Sequence, residues 1–254
     1  MMVHTHELTF AGPVLTKRYT SWSRGEHRRE WTMLRLAHRH LPDLVPAPLH
    51  ARLAADPPTV TMSRLPGEPL GGRLTQRQLG ALAAAITQLW TVPLDGGEPW
   101  EDDLSFARRL TAGPRPTAGP TADAYDAAVA WWNGPDPHLL RTQPTELILG
   151  HRDPNLANYL DDGDRVRIVD FEDAGASDPA NELAILAEHM SARDIDVADL
   201  LAHFPAVDER RLLAARRVWA MLWLRLLLPG GPGARRNPPG TAERQAVRLL
   251  ALLA

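Results

Sequence analysis

The residues best suited to chemistry stand in two short stretches. One is His151-Arg152-Asp153-Pro154-Asn155-Leu156-Ala157-Asn158, an H-x-D-x-x-x-x-N pattern. The other is Ile168-Val169-Asp170-Phe171-Glu172, which places Asp170 twelve positions after Asn158 and 17 after Asp153. An aspartate in a loop can orient a hydroxyl and take its proton as the hydroxyl attacks a phosphoryl group. Magnesium prefers carboxylate and amide oxygens in an octahedral shell. Asp153, Asn158 and Asp170 thus offer three oxygen-bearing side chains of the kind that phosphoryl transfer from a magnesium-bound nucleotide requires.

The surrounding sequence supplies elements that can bring these groups together. Leu147 to Leu149 reads as a short strand running into the first motif. The turn Asp161-Asp162-Gly163-Asp164 and the strand Val166 to Phe171 then return Asp170 to the same place. Upstream, residues 7–10 and 14–19 read as a hairpin turning at Ala11-Gly12-Pro13. A helix over about 24–41 presents Trp31, Leu34, Ala37 and Leu41 at helical spacing, and Pro42, Pro46 and Pro48 end it. Leu53 and Val60 to Met62 read as two more strands joined by Asp56-Pro57-Pro58.

Residues 65–73 are rich in Pro and Gly and read as a linker or sharp turn. Thr75 and Gln78 then form a capping-box pattern ahead of a helix with a stripe of Leu79, Leu82, Ala83, Ile86, Leu89 and Trp90. Residues 111–121 read as a loop, and helices are expected over 122–133, after Asp178-Pro179, and over 208–228 and 241–253.

Composition narrows the class. Of 254 residues, 44% are apolar and 23% charged, which suits a globular protein able to bury a sizeable core. The net charge of −3 gives no basic excess to point to nucleic acid. The absence of cysteine excludes thiolate catalysis, thiolate metal sites and disulfides. The first ten residues have no apolar signal core, and the most apolar run, Val218 to Leu228, is too short to span a bilayer. These features point to a cytoplasmic protein with no membrane partner, and say nothing about oligomeric state.

The pattern has a family likeness. His151 to Asn158 resembles the catalytic loop of the protein-kinase-like superfamily, and IVDFE resembles its magnesium-binding strand end. The wider resemblance is to the aminoglycoside phosphotransferase family. GHRDPNLANYL is similar to that family's GHGDLHPGNVL-type loop, and VDFEDAGASDPANELA to its acidic loop and Asp-Pro helix. REWTMLRLAHRHLPDLVPAPL resembles the helix ahead of its V-P-x-P strand, and TMSRLPGEPL its hinge.

The resemblance implies an α+β, two-lobed kinase-like fold. It has a reduced strand-plus-helix lobe over 1–62, a hinge over 63–73 and a mainly helical lobe over 74–254. It further implies Asp153 as catalytic base, Asn158 and Asp170 as Mg2+ ligands, and His151 as support for the loop backbone. Lys17 would steady ATP phosphates, with Glu30 its partner in preference to Glu26. The hinge residues Met62, Ser63, Arg64 and Leu65 would meet adenine through their backbone. Asp178 and Glu182 are candidate substrate contacts, with a helix N-cap and a surface carboxylate as their plainer readings.

Two departures stand out. Only six residues precede Glu7 and no Gly-rich loop is visible, so either Ala11-Gly12-Pro13 is a minimal substitute for a nucleotide-covering loop or the start of the lobe is lost. Asn155 stands two residues after Asp153, where kinases acting on protein Ser/Thr carry lysine. The implied activity is ATP-dependent phosphorylation of a hydroxyl on a small molecule. A non-catalytic nucleotide-binding pseudokinase is the alternative, and a protein kinase a more distant one. His4 and His6 form a terminal pair that could hold a metal, with simple exposure as the plainer reading.

Overall fold

A computed structural model describes residues 6–94, 104–105, 108, 113–142 and 146–254. His4 and residues 111–112 of the expected loop lie outside them. The chain forms two compact units. The first comprises Met1–Gly97, Ile148–Ala176 and Asp194–Pro205, and the second Glu98–Leu147, Ser177–Arg193 and Ala206–Ala254.

The first unit opens with a four-stranded antiparallel sheet of β1 (Glu7–Ala11), β2 (Val14–Arg18), β3 (Pro48–Arg52) and β4 (Thr59–Ser63), in the order β1-β2-β4-β3. Ala11 pairs with Val14, so Gly12-Pro13 is a two-residue turn. Gly12 has φ 58, which glycine adopts without a Cβ penalty and which suits the first position of a hairpin turn. The third strand lies at 48–52, earlier than the expected Leu53. Pro48 fits there because β3 is an edge strand and needs no ladder donor at that position.

Helix α1 (Glu26–His40) buries His27, Glu30, Leu34 and Ala37, whereas Trp31 and Leu41 of the expected stripe are only half-buried. The Glu30 carboxylate is thus buried one turn ahead of Leu34 and two ahead of Ala37, and it stays there only with a charged partner. Beyond β4, the expected linker contains a two-residue strand, β5 (Glu68–Pro69). It joins β7 (Tyr159–Asp161) and β8 (Val166–Ile168) in a second antiparallel sheet. Gly67 is required at this junction. It has φ 118, and an added Cβ would lie 3.0 Å from the Asp161 carbonyl carbon.

Helix α2 (Gln76–Trp90) starts on the expected capping box, with Thr75 and Gln78 exchanging both hydrogen bonds. Its stripe of Leu79, Leu82, Ala83, Ile86 and Leu89 is buried, and the helix packs against β6 (Ile148–Gly150) and β8. Asp161 anchors its first turn, accepting from Arg77 Nη1 at 3.1 Å and Gln78 Nε2 at 3.1 Å.

The second unit is helical. Its elements are α3 (Pro120–Trp132), α4 (Pro137–Arg141), α5 (Pro179–Glu188), α7 (Glu209–Leu227) and α8 (Thr241–Leu253). The short α6 (Val197–Leu201) belongs to the first unit, and neither it nor α4 is announced by the sequence pattern. Ala124, Ala128, Ala220, Met221, Leu224, Ala246 and Leu249 make the core where α3, α7 and α8 meet. The small residues let the helices approach closely. Asp178 and Asp208 cap α5 and α7 through their side chains.

Candidate active site

The candidate groups of the first unit converge on one charged cluster. Lys17 is the fourth residue of β2 and the one fully buried position of that strand. Its Nζ lies 2.9 Å from Glu30 Oε2, 2.5 Å from Asp170 Oδ1 and 2.7 Å from Glu172 Oε2. Glu30 rather than Glu26 is the partner, since Glu26 turns back to the backbone N–H and guanidinium of Arg24. The Tyr19 hydroxyl donates to Glu30 Oε2. His6 is buried here too. Its Nδ1 accepts from Thr20 N–H at 3.2 Å, which leaves the proton on Nε2 to be donated to Glu172 at 2.9 Å.

The electrostatics follow from one ammonium among three carboxylates. Burial works against the charge of Lys17, yet Glu30 and Asp170 hold its pKa well above the usual lysine value. Burial likewise pushes the Asp170 carboxyl up, but Lys17 outweighs it and keeps Asp170 below the ordinary carboxylate range. For Glu30, the most buried of the three, burial wins over Lys17 and the pKa is raised. Tyr19 is pushed up by burial and by the Glu30 charge.

The loop holding Asp153 is tied to the strand end that carries Asp170. Asn155 accepts from Ala157 N–H and starts a 3-10 turn over Leu156–Asn158. Asn158 Nδ2 donates to both the carbonyl and Oδ2 of Asp153, each at 3.1 Å. That orientation commits the amide hydrogens and leaves Oδ1 as the atom able to meet a cation.

Val169 is gripped from both sides: its N–H donates to Asn158 O at 2.9 Å, and its carbonyl accepts from His151 Nε2 at 2.9 Å. His151 itself is buried against Tyr159 and Phe171. β8 ends at Ile168 rather than continuing to Phe171, and Asp170 turns at φ 70, a left-handed conformation that aspartate tolerates better than most residues. Burial first, then the Asp170 and Asp173 charges, raise the Asp153 pKa against the opposing influence of His151 and Asn158.

The other candidates fall elsewhere. Met62 and Ser63 close β4, where Ser63 N–H donates to Ala47 O at 2.9 Å and Arg64 N–H to Pro13 O at 2.8 Å. The N–H groups of Ser63 and Arg64 are thereby engaged, and that of Leu65 has no backbone partner among the described residues. Asp178 and Glu182 lie in the second unit and are both buried. Asp178 caps α5 through Asn181 N–H and pairs with Arg211 Nη2 at 3.0 Å.

Glu172 and His6 carry no assigned role in the sequence reading, yet both enter the cluster. Glu172 is visible in the IVDFE motif, but its aim depends on the backbone turn at Asp170. His6 gives no signal beyond its place one residue before β1. Glu30, Asp170 and Glu172 offer hard oxygen donors, the class magnesium takes, within 4.8 Å of one another, with the Lys17 ammonium standing among them.

The chain belongs to the phosphotransferase enzyme family, whose model matches residues 12–222. No curated protein matches the chain. Among solved structures, a choline/ethanolamine kinase family protein from Mesorhizobium loti is 18% identical, with a TM-score of 0.70 over 100% of this chain and 86% of that one. Choline kinase LicA from Streptococcus pneumoniae is 12% identical, with a TM-score of 0.65 over 100% and 90%. Aminoglycoside phosphotransferase APH(3'')-Id from Streptomyces rimosus, solved with ADP and streptomycin, is 18% identical, with a TM-score of 0.59 over 83% and 87%. The fold is therefore the protein-kinase-like one, with a small antiparallel sheet and a helical C-terminal part. No helix among the described residues is long and apolar enough to cross a membrane.

Proposed function

We propose that this chain transfers the γ-phosphoryl group of ATP to a hydroxyl of a small molecule. The acceptor class spans amino alcohols, sugars and aminoglycoside-like compounds. In this reading Asp153 orients the acceptor hydroxyl and takes its proton. The acceptor oxygen forms the new bond to phosphorus as the bond to the β–γ bridging oxygen breaks, and ADP leaves with that electron pair. Lys17 steadies the phosphates, Glu30 and Tyr19 hold Lys17 in place, and Leu65 meets the adenine. Asp170 and Asn158 Oδ1 would hold Mg2+, with Glu172 beside them. When bound, the ion supplies charge neutralisation for the phosphates. His151 keeps the Asp153 loop in register with Asp170.

The observation that carries the reading is the coupling of two motifs through one residue, Val169. Its N–H and carbonyl are held by Asn158 and His151 of the Asp153 loop, and its successor is Asp170. A raised pKa at Asp153 suits a base working near neutrality. The cytoplasm, where ATP is made, is the compartment this chemistry suits.

ADP release measured with Mg-ATP across a panel of amino alcohols, amino sugars and sugars tests the proposal. Asp153→Asn should lower turnover by at least about 100-fold while nucleotide binding by calorimetry is kept. Retained turnover in that variant at saturating ATP overturns the role of Asp153. Nucleotide binding without turnover across the whole panel favours a pseudokinase instead.

A further inference from the structure

In the second unit a single buried carboxylate is surrounded by three guanidinium groups. Glu188 closes α5 and has no exposed surface. Its Oε1 accepts from Arg216 Nε at 2.9 Å and from Arg248 Nη2 at 3.0 Å. Its Oε2 accepts from Arg248 Nε at 2.5 Å and from Arg193 Nη1 at 3.4 Å. Arg193 and Arg248 have a further task at the end of the helix. Arg193 Nη2 donates to the Glu188 carbonyl at 2.9 Å and to Gln245 Oε1 at 2.5 Å, and Arg248 Nη2 donates to the Ala187 carbonyl at 3.1 Å. Capping the last carbonyls of α5 accounts for these two arginines, since cations favour a helix C-terminus.

It does not account for Arg216. Its Nε alone is engaged, and Nη1 and Nη2 have no hydrogen-bond partner among the described residues. The side chain is 19% exposed, so it keeps a contact with solvent from a mostly covered position. The charge does not balance either. Three positive charges face one carboxylate and a helix end worth about half a charge. Among the described residues no second carboxylate pairs with Arg193, Arg216 or Arg248.

Arg193 reports that excess. Burial and then the Arg248 charge push its pKa down to about 10, in spite of Glu188. An arrangement built only for stability would match its charges, because buried excess charge is costly. A guanidinium with both terminal amines free, held rigid by a buried carboxylate, matches the planar two-point recognition of an oxyanion.

We propose that Arg216, flanked by Arg193 and Arg248, binds a small doubly charged oxyanion of the phosphate class. Arg216 supplies the two-point contact, and the other two supply charge. Glu188 fixes all three in register and prevents their dispersal into solvent. The site is built from the ends of α5 and from α7 and α8, and it does not depend on the phosphotransferase reading.

The probe is inorganic phosphate, titrated into the full chain by calorimetry and followed by 31P line broadening, with chloride at matched ionic strength as control. Phosphate should bind saturably to the wild type and to Lys17→Met, which removes the phosphate-binding candidate of the other unit. Arg216→Gln should weaken binding at least about tenfold, and Arg216→Lys, which keeps the charge but loses the fork, should also weaken it. Circular dichroism checks that the variants fold; if Arg216→Gln does not, Arg216→Lys carries the test. Absence of saturable binding, unchanged affinity in the folded Arg216 variants, or complete loss in folded Lys17→Met would each overturn the site. Phosphate carried by a nucleotide or a phosphomonoester is told apart by repeating the titration with ADP in Lys17→Met. A weaker response than inorganic phosphate identifies the free ion as the ligand, and a stronger one identifies a phosphate ester.

Discussion

Replacing Lys17 with Met is the sharpest perturbation of the cluster. Lys17 is 5% exposed and reaches Glu30, Asp170 and Glu172 at 2.5–2.9 Å. Without it, three carboxylates whose oxygens lie within 4.8 Å share a buried site with no ammonium. At an effective dielectric of about 20, each pair at that separation repels by about 3 to 4 kcal/mol. Protonating Glu30, the most buried, removes two of the three pairs at a cost of about 3.5 kcal/mol at pH 7 from an ordinary pKa near 4.3, and the remaining Asp170–Glu172 pair is screened because Asp170 is 34% exposed.

The variant should therefore lose about 3 to 4 kcal/mol at pH 7, within the range expected for a broken buried pair. The sign of its pH dependence is fixed. A carboxyl whose folded pKa exceeds its unfolded value binds more protons when folded, so stability falls as pH rises above the unfolded pKa. The deficit should shrink to about 1 kcal/mol near pH 5.

Urea unfolding followed by circular dichroism gives the total, and amide exchange in α1 localises it to the first unit. Lys17→Met with Glu30→Gln should recover to within about 1.5 kcal/mol of wild type, since a neutral amide can still accept from Tyr19. A single variant as stable as wild type at pH 7, a deficit that grows on acidification, or a double variant with no recovery would each refute the reasoning.

The pH profile of turnover should show an acid limb from Asp153. The rate falls as pH drops through its raised pKa, above the ordinary carboxylate value of about 4, and a flat profile down to pH 4 would contradict this. Thr75→Ala removes the 3.2 Å acceptor for Gln78 N–H and leaves only the reciprocal 3.1 Å bond from the backbone N–H of residue 75 to Gln78 Oε1. It should lower stability by about 1 kcal/mol in the urea midpoint, and an unchanged midpoint would show that the cap is not used. Chelating Mg2+ should weaken ATP binding by at least about tenfold in calorimetry and abolish turnover, whereas equal affinity with and without the ion would remove Asp170 as its ligand.

Much of this was readable from residue types and spacing, and the failures have physical causes. The capping box at Thr75, the hairpin at Gly12-Pro13 and the helix over 241–253 follow from local rules that tertiary packing did not override. The buried face of α1 was misjudged at Trp31, because periodicity alone does not say which side of a partly apolar helix faces inward. Leu34 and Ala37 place Glu30 in register at i−4 and i−7, and the burial of a carboxylate there depends on Lys17, 13 positions earlier on a different element. Glu172 and His6 were not legible as site residues. Their positions are set by the left-handed turn at Asp170 and by the packing of the residue ahead of β1, and neither leaves a period in the sequence.

The donor count of Lys17 explains why metal and nucleotide should depend on each other in the proposed reaction. An ammonium has three hydrogens, and Glu30, Asp170 and Glu172 each lie within bonding distance of it. A phosphate oxygen can reach Nζ only by displacing one of them. Glu30 is the poorest candidate to leave, being almost wholly buried and held by Tyr19, and Glu172 is held by His6. Asp170 is 34% exposed and is the carboxylate assigned to the metal. In the proposed reaction Asp170 would hold the divalent ion, and Lys17 would then have one donor for a phosphate oxygen while keeping Glu30 and Glu172. Nucleotide affinity should therefore depend on Mg2+ more steeply in the wild type than in Asp170→Asn.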